Sequence, residues 1–188
     1  FFAAMDAANI DLKAFTEDFY HELCTAGLAP VLDTLKYLKH ETDVWFELTD
    51  LIIPGANDSD RELDEMTSWV AENLGPDVPM HFSAFHPDWK MRDVPATPPR
   101  TLSRAREIAL RNGIRYAYVG NVHDPAADST YCHNCGEMLI GRDWYELSLW
   151  NLTGDGHCRS CGAACAGVFD GPPGDWGRKR MPVRVSGG

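Results

Sequence analysis

The sequence predicts an α/β fold, a parallel sheet with connecting helices, followed by a small cysteine-rich module. Three observations carry this. Runs with strand period alternate with runs at helical spacing through residues 9–119, and that alternation means βαβ units and parallel strands. Pro54-Gly55, Gly75-Pro76 and Asn112-Gly113 punctuate the runs as turn and stop signals. Then two C-x-x-C-G knuckles, Cys132 to Gly136 and Cys158 to Gly162, close the chain's ordered pattern. The expected organisation is an α/β part over 1–123, a zinc-ribbon or rubredoxin-like module over 124–170, and an extended basic tail over 171–188 with Arg178, Lys179, Arg180 and Arg184.

Each element has its own warrant. Residues 1–8 read as the end of a helix running into a strand, so the chain is expected to begin within a domain, with a processed or trimmed N-terminus as the alternative. Residues 9–13 alternate polar and apolar, which places Asn9, Asp11 and Lys13 on one face and Ile10 and Leu12 on the other. A helix is expected over 16–26. Pro30 opens another, with Val31, Leu35 and Leu38 on one face. Residues 44–53 are strongly β-prone and end at Pro54-Gly55. Ser59-Asp60-Arg61-Glu62 is a capping-box pattern opening a helix with Leu63, Met66, Val70 and Leu74 inward. Residues 80–85 form the next strand. Thr101 is the expected N-cap of a helix over 102–111. Residues 116–119 form a last parallel strand, and 124–129 a polar linker.

Composition bounds the class. The chain has 188 residues, 44% of them hydrophobic, and carries 28 acidic against 17 basic residues for a net charge of −11. That balance argues against broad phosphate-backbone contact, so nucleic acid is not an expected partner. No run approaches the length of a membrane span. No secretory signal is visible, and five of the six cysteines crowd into the module; both point to a reducing cytoplasm.

The cysteine pattern is the most specific signal. Two residues between cysteines let both thiolates of a turn reach one metal, and the following glycine supplies positive φ. Two such knuckles give Cys132, Cys135, Cys158 and Cys161, a four-sulfur set suited to Zn²⁺ or to iron as in rubredoxin. Two disulfides are the competing reading. A closed set of four ligands is structural by default. Cys165 does not keep the knuckle spacing and reads as a small buried residue, as does Cys24. His123, His133 and His157 are surplus to the site and expected to be exposed. Trp144, Tyr145 and Trp150 are expected to pack the module's hairpins.

Chemistry outside the module is expected at the C-terminal ends of the strands. Asp11 and Lys13 share a face and could bind a zwitterion or a ribose; a structural ion pair fits the spacing equally. Glu47 and Thr49 share a face amid apolar neighbours, which reads as a ligand-lining face or as an exposed edge. His81 and Ser83 share a face, with His86 just past the strand end before Pro87. A lone histidine there is more often structural than catalytic.

Several stretches together carry a resemblance. Residues 9–15 (NIDLKAF), 45–55 (WFELTDLIIPG) and 81–91 (HFSAFHPDWKM) resemble the later strands of radical S-adenosylmethionine (SAM) enzymes related to the pyruvate formate-lyase activating enzymes. Residues 118–122 (YVGNV) running into 130–135 (TYCHNC), with the second knuckle and 167–169 (GVF), resemble the AmmeMemoRadiSam-system radical SAM enzyme. The resemblance implies the C-terminal half of a partial parallel (β/α)6 barrel. It implies SAM and a [4Fe-4S] cluster as cofactors of the complete enzyme, which would cleave SAM reductively to a 5′-deoxyadenosyl radical for hydrogen abstraction. It implies an electron donor such as a flavodoxin or ferredoxin, and a substrate for which a protein is one option. By the same resemblance Asp11 and Lys13 would hold the ribose and methionine ends of SAM, His86 would line that site, and Glu47 and Thr49 would line the lumen.

The 188 residues contain no C-x-x-x-C-x-x-C loop; Cys158, Cys161 and Cys165 have the wrong order of spacings. The chain is therefore expected to be an inactive C-terminal part of the enzyme when alone. The alternative, from another class, is a non-catalytic zinc-ribbon module docking a partner protein or nucleic acid.

Overall fold

The computed structural model describes residues 2–169, and the basic tail lies outside them. Two compact units divide the chain, the first ending at Val122 and the second starting at His123.

The first unit opens with a 3-10 turn, Phe2–Ala4, and strand β1, Ala7–Asp11. It continues with α1 (Glu17–Phe19), α2 (Leu28–Glu41), β2 (Trp45–Ile52), α3 (Asp60–Asn73), β3 (Met80–Ala84), α4 (Pro99–Arg111) and β4 (Ala117–Gly120). The four strands pair in chain order and all in parallel. This is the expected α/β alternation, realised as an open sheet.

Period-two burial then decides which face each residue joins. Phe46, Leu48, Ile52, Met80, Phe82, Ala84, Ala117 and Val119 are buried, and α4 packs on β3 and β4 with α3 beside it. From α3, Leu63, Met66 and Val70 enter this core, and from α4, Leu102, Ala105, Ile108 and Ala109. The opposite face, Asn9, Asp11, Glu47, Thr49, Leu51, His81, Ser83, Tyr118 and Gly120, is half-exposed or exposed at every position. A parallel sheet is normally covered on both faces; among the described residues this polar face is left accessible.

Several local expectations are corrected. The expected helix over 16–26 is a three-residue α1 followed by a π-helical segment, Tyr20–Cys24, closed by Thr25 at φ 51°. Cys24 there is half-exposed, not buried. Helix α2 starts at Leu28, not Pro30, and Glu17 supplies the cap that Gly27 lacks, its carboxylate accepting from the Leu28 and Ala29 N–H groups at 3.0 and 3.2 Å. Thr101 is not an N-cap: α4 begins at Pro99, whose fixed φ suits the first turn, and Thr101 is buried inside it. Only half of the capping box forms. Ser59 accepts from the Glu62 N–H at 3.3 Å, but Glu62 turns away and accepts from Phe15 N–H at 2.8 Å.

The second unit holds α5 (Pro125–Asp128), β5 (Thr130–Tyr131), β6 (Met138–Asp143) and β7 (Glu146–Trp150). The stretch read as a polar linker is thus partly a helical turn, capped by Asp124, which accepts from Ala127 N–H at 3.1 Å. The three strands form an antiparallel sheet in the order β5-β6-β7. Trp144 and Tyr145 do not pack its interior. They occupy the β6–β7 turn, 45% and 75% exposed, where Trp144 at φ 54° stacks on His123. Among the described residues no helix is long and apolar enough to cross a membrane.

Candidate functional site

The four-cysteine centre is built by two knuckles of the same design. In the first, Gly136 N–H donates to Cys132 O at 2.9 Å, with Gly136 at φ 74°. In the second, Gly162 N–H donates to Cys158 O at 2.8 Å, with Gly162 at φ 75°. Positive φ at these two positions is why glycine follows each knuckle. The first and third cysteines are further pinned by Cys132 N–H to Glu137 O and Cys158 N–H to Ala163 O, both 2.8 Å. The result brings the sulfurs of Cys132, Cys135, Cys158 and Cys161 all within 4.8 Å of one another.

Cys132 and Cys161 approach to 3.5 Å and Cys135 and Cys158 to 3.8 Å. A tetrahedron of about 2.3 Å metal–sulfur bonds has edges of about 3.8 Å, so the arrangement fits a metal ion, and no disulfide joins these cysteines. The Asn134 amide and the Ala163 N–H donate to the Cys161 sulfur and bring its pKa down to about 6. Cys135 accepts from Glu137 N–H, yet must ionise beside Cys161 and is pushed up to about 12. A metal ion relieves that repulsion by holding every sulfur as thiolate. Cys165 is buried and outside the group.

In the first unit the sequence-predicted residues fall on the accessible face and its C-terminal edge. Lys13 Nζ stands 3.1 Å from Asp11 Oδ2, at the end of β1. Thr49 pairs with Asp11 across the ladder, and its hydroxyl donates to Asn9 Oδ1 at 2.8 Å. Glu47 lies one pleat back and pairs with Asn9. His86 is exposed and follows β3 by two residues. Because the strands are parallel, Lys13 and His86 both sit beyond C-terminal strand ends, at the same edge.

Sequence reasoning missed the support beneath that edge. Lys13 lies past the ladder, so its peptide groups need other partners. Its N–H donates to Tyr20 Oη at 3.0 Å, and its carbonyl accepts from Asn57 Nδ2 at 2.6 Å. Asn57 is 2% exposed; its Nδ2 also donates to Leu51 O at 3.0 Å and Asp50 Oδ1 at 3.2 Å, and its Oδ1 accepts from Ile53 N–H at 2.7 Å. Burial pushes the Tyr20 phenol up to about 12 and keeps it neutral. Asp50 is itself buried on the core face, and its Oδ2 has no partner. Burial, and then the nearby Glu62 carboxylate, hold its pKa well above the ordinary value, with Lys13 opposing. Glu62 is likewise raised, first by burial. The signal was present: Asp50 has the parity of Phe46, Leu48 and Ile52, an acid on an apolar face.

No known family model matches the chain. An uncharacterized protein of Methanocaldococcus jannaschii, MJ0808, is 43% identical over 159 residues, which are 84% of this chain and 47% of that protein. The chain thus spans about half the length of that curated relative. A solved domain of the pyruvate-formate lyase-activating enzyme from Bacteroides vulgatus matches with a TM-score of 0.54 at 15% identity, over 62% of this chain and 68% of that one. At that identity the likeness is one of fold.

Proposed function

We propose that this chain is part of a radical SAM enzyme, its first unit being the later strands of a partial (β/α)6 barrel. The observation that carries the reading is the Asp11–Lys13 pair, 3.1 Å apart at the C-terminal edge of an accessible parallel-sheet face. The fold likeness to an activating-enzyme domain supports it. The residues fit the polar ends of SAM: a carboxylate for ribose hydroxyls or the ammonium, an ammonium for the carboxylate, and an exposed His86 at the same edge. Glu47 and Thr49 line the face below. SAM, when bound, supplies the 5′-deoxyadenosyl group used for hydrogen abstraction. The Tyr20 and Asn57 contacts fix the Lys13 backbone, so the ammonium is presented from a rigid base.

The residues of this chain do not fit a [4Fe-4S] cluster with an open iron. Among the described residues the one group of three or more converging metal-capable side chains is the closed four-cysteine set. On this reading the cluster ligands lie outside these 188 residues, and the four-cysteine centre is a structural zinc or iron site. An electron donor such as a flavodoxin or ferredoxin belongs to the same proposal.

The test uses the complete polypeptide, reconstituted anaerobically with iron and sulfide and given SAM and dithionite. 5′-Deoxyadenosine is expected, and Lys13→Ala should diminish it; a protein with a filled cluster that forms none overturns the reading. A second reading, a docking ribbon, is favoured by Tyr145, Leu147 and Leu149, all exposed on β7 and its turn. Absence of 5′-deoxyadenosine with the metal of the four-cysteine centre in place would favour it.

A further inference from the structure

The accessible face holds a second cluster, distinct from the edge assigned to SAM. His81 Nε2 lies 2.6 Å from Glu47 Oε2. The other carboxylate oxygen, Oε1, accepts from Trp45 Nε1–H at 3.3 Å. Tyr118, opposite His81 in the β3–β4 ladder, stacks on the imidazole with ring centroids 5.1 Å apart and planes 29° apart. The ring is held by its edge and by its face.

A carboxylate only accepts, so the hydrogen of the His81–Glu47 bond sits on Nε2, and in the neutral ring Nδ1 is then the acceptor. The side chains of His81 and Glu47 are 31% and 36% exposed, so Nδ1 is within reach of a ligand. Toward the C-terminal edge the next row places Ser83 beside Gly120, where an added Cβ would come within 2.9 Å of Ser83 Oγ. On β3 and β4 no bulky side chain stands there, while β2 carries Leu51 beside Ser83 in the same row. Stability is a weak explanation for the pair, because a polar side-chain contact this exposed contributes little. An imidazole oriented by a carboxylate, with its second nitrogen open, is an arrangement for proton transfer.

We propose that His81 is a proton-transfer group for a ligand bound on this face, with Glu47 as its positioning residue. Nδ1 takes a proton from an O–H or N–H of the ligand. The bonding electron pair stays on the ligand's heteroatom, and Glu47 balances the imidazolium. The ligand class is one that presents a hydroxyl or an N–H group to the middle of the sheet. This stands whether or not the chain takes SAM.

The test uses the complete polypeptide labelled with ¹⁵N-histidine, with diethyl pyrocarbonate as the chemical probe. Long-range ¹⁵N–¹H spectra should show His81 as the Nε2–H tautomer. Carbethoxylation of His81, followed by peptide mass spectrometry, should run about tenfold faster than that of the exposed His133. Glu47→Gln should mix the tautomers and bring the rate down to that of His133. An Nδ1–H tautomer, a wild-type rate no faster than that of His133, or a rate unchanged in Glu47→Gln overturns the proposal. The wild-type spectrum and rate need no variant, so the proposal stays testable if Glu47→Gln does not fold.

Discussion

Replacing Asp50 by asparagine isolates the cost of a buried acid. The change is isosteric, and the carbonyl oxygen of the new amide would still accept from Asn57 Nδ2, now at 3.2 Å from Asp50 Oδ1. What it removes is the titration. Asp50 is 2% exposed, and its pKa is raised by burial and by Glu62. A carboxyl raised on folding binds more protons in the folded state than in the unfolded one. Stability from this group is therefore full below the ordinary value near pH 4 and is lost as pH rises toward the folded value. The slope in that window is about 1.4 kcal/mol per pH unit. Asp50→Asn does not follow it. The variant should match the wild type near pH 4 and gain on it by about 1.4 kcal/mol for each pH unit of the window. That is roughly 3–6 °C in Tm per pH unit for a chain of this size. Urea unfolding of both proteins at half-unit steps from pH 4 to 8, followed by tryptophan fluorescence, measures the difference. Parallel curves, or a wild type that gains on the variant as pH rises, refute the reasoning.

Other outcomes follow from the same geometry. Cys158→Ser should lower metal per chain, measured by mass spectrometry of the purified protein, while Cys165→Ala leaves it unchanged, because only Cys158 belongs to the converging set. Asn57→Leu leaves the Ile53 N–H, the Lys13 and Leu51 carbonyls and Asp50 Oδ1 without their partner; at about 1 kcal/mol each, a loss of about 4 kcal/mol should appear in chemical denaturation. Phe82, fully buried at the centre of the sheet, should cost about 3–5 kcal/mol as Phe82→Ala, read by the shift of the thermal midpoint. The 188-residue chain alone should form no 5′-deoxyadenosine after anaerobic reconstitution, since it contains no C-x-x-x-C-x-x-C loop.

Local chemistry is what the sequence determined by itself. The spacing within each knuckle and its glycine are covalent facts, so Cys132, Cys135, Cys158 and Cys161 were legible as one set before any fold was known. Strand parity is local too: it put Asp11 with Lys13, and Glu47 with Thr49, on shared faces. Parallel βαβ connectivity follows from the alternation of elements and made the parallel sheet legible. The tertiary structure alone decided what depends on register and on long-range competition for hydrogen bonds. Glu47 and His81 are 34 residues apart and meet only because Thr49 pairs with His81 in the β2–β3 ladder. Glu62 follows a capping pattern in sequence, but Phe15 N–H, 47 residues away, captures its carboxylate. Asn57 looks like an ordinary turn residue, yet packing buries it where it bonds Lys13, 44 residues away. A sequence lists donors and acceptors, whereas the partners they find are fixed by which strands lie side by side and which groups lose access to water.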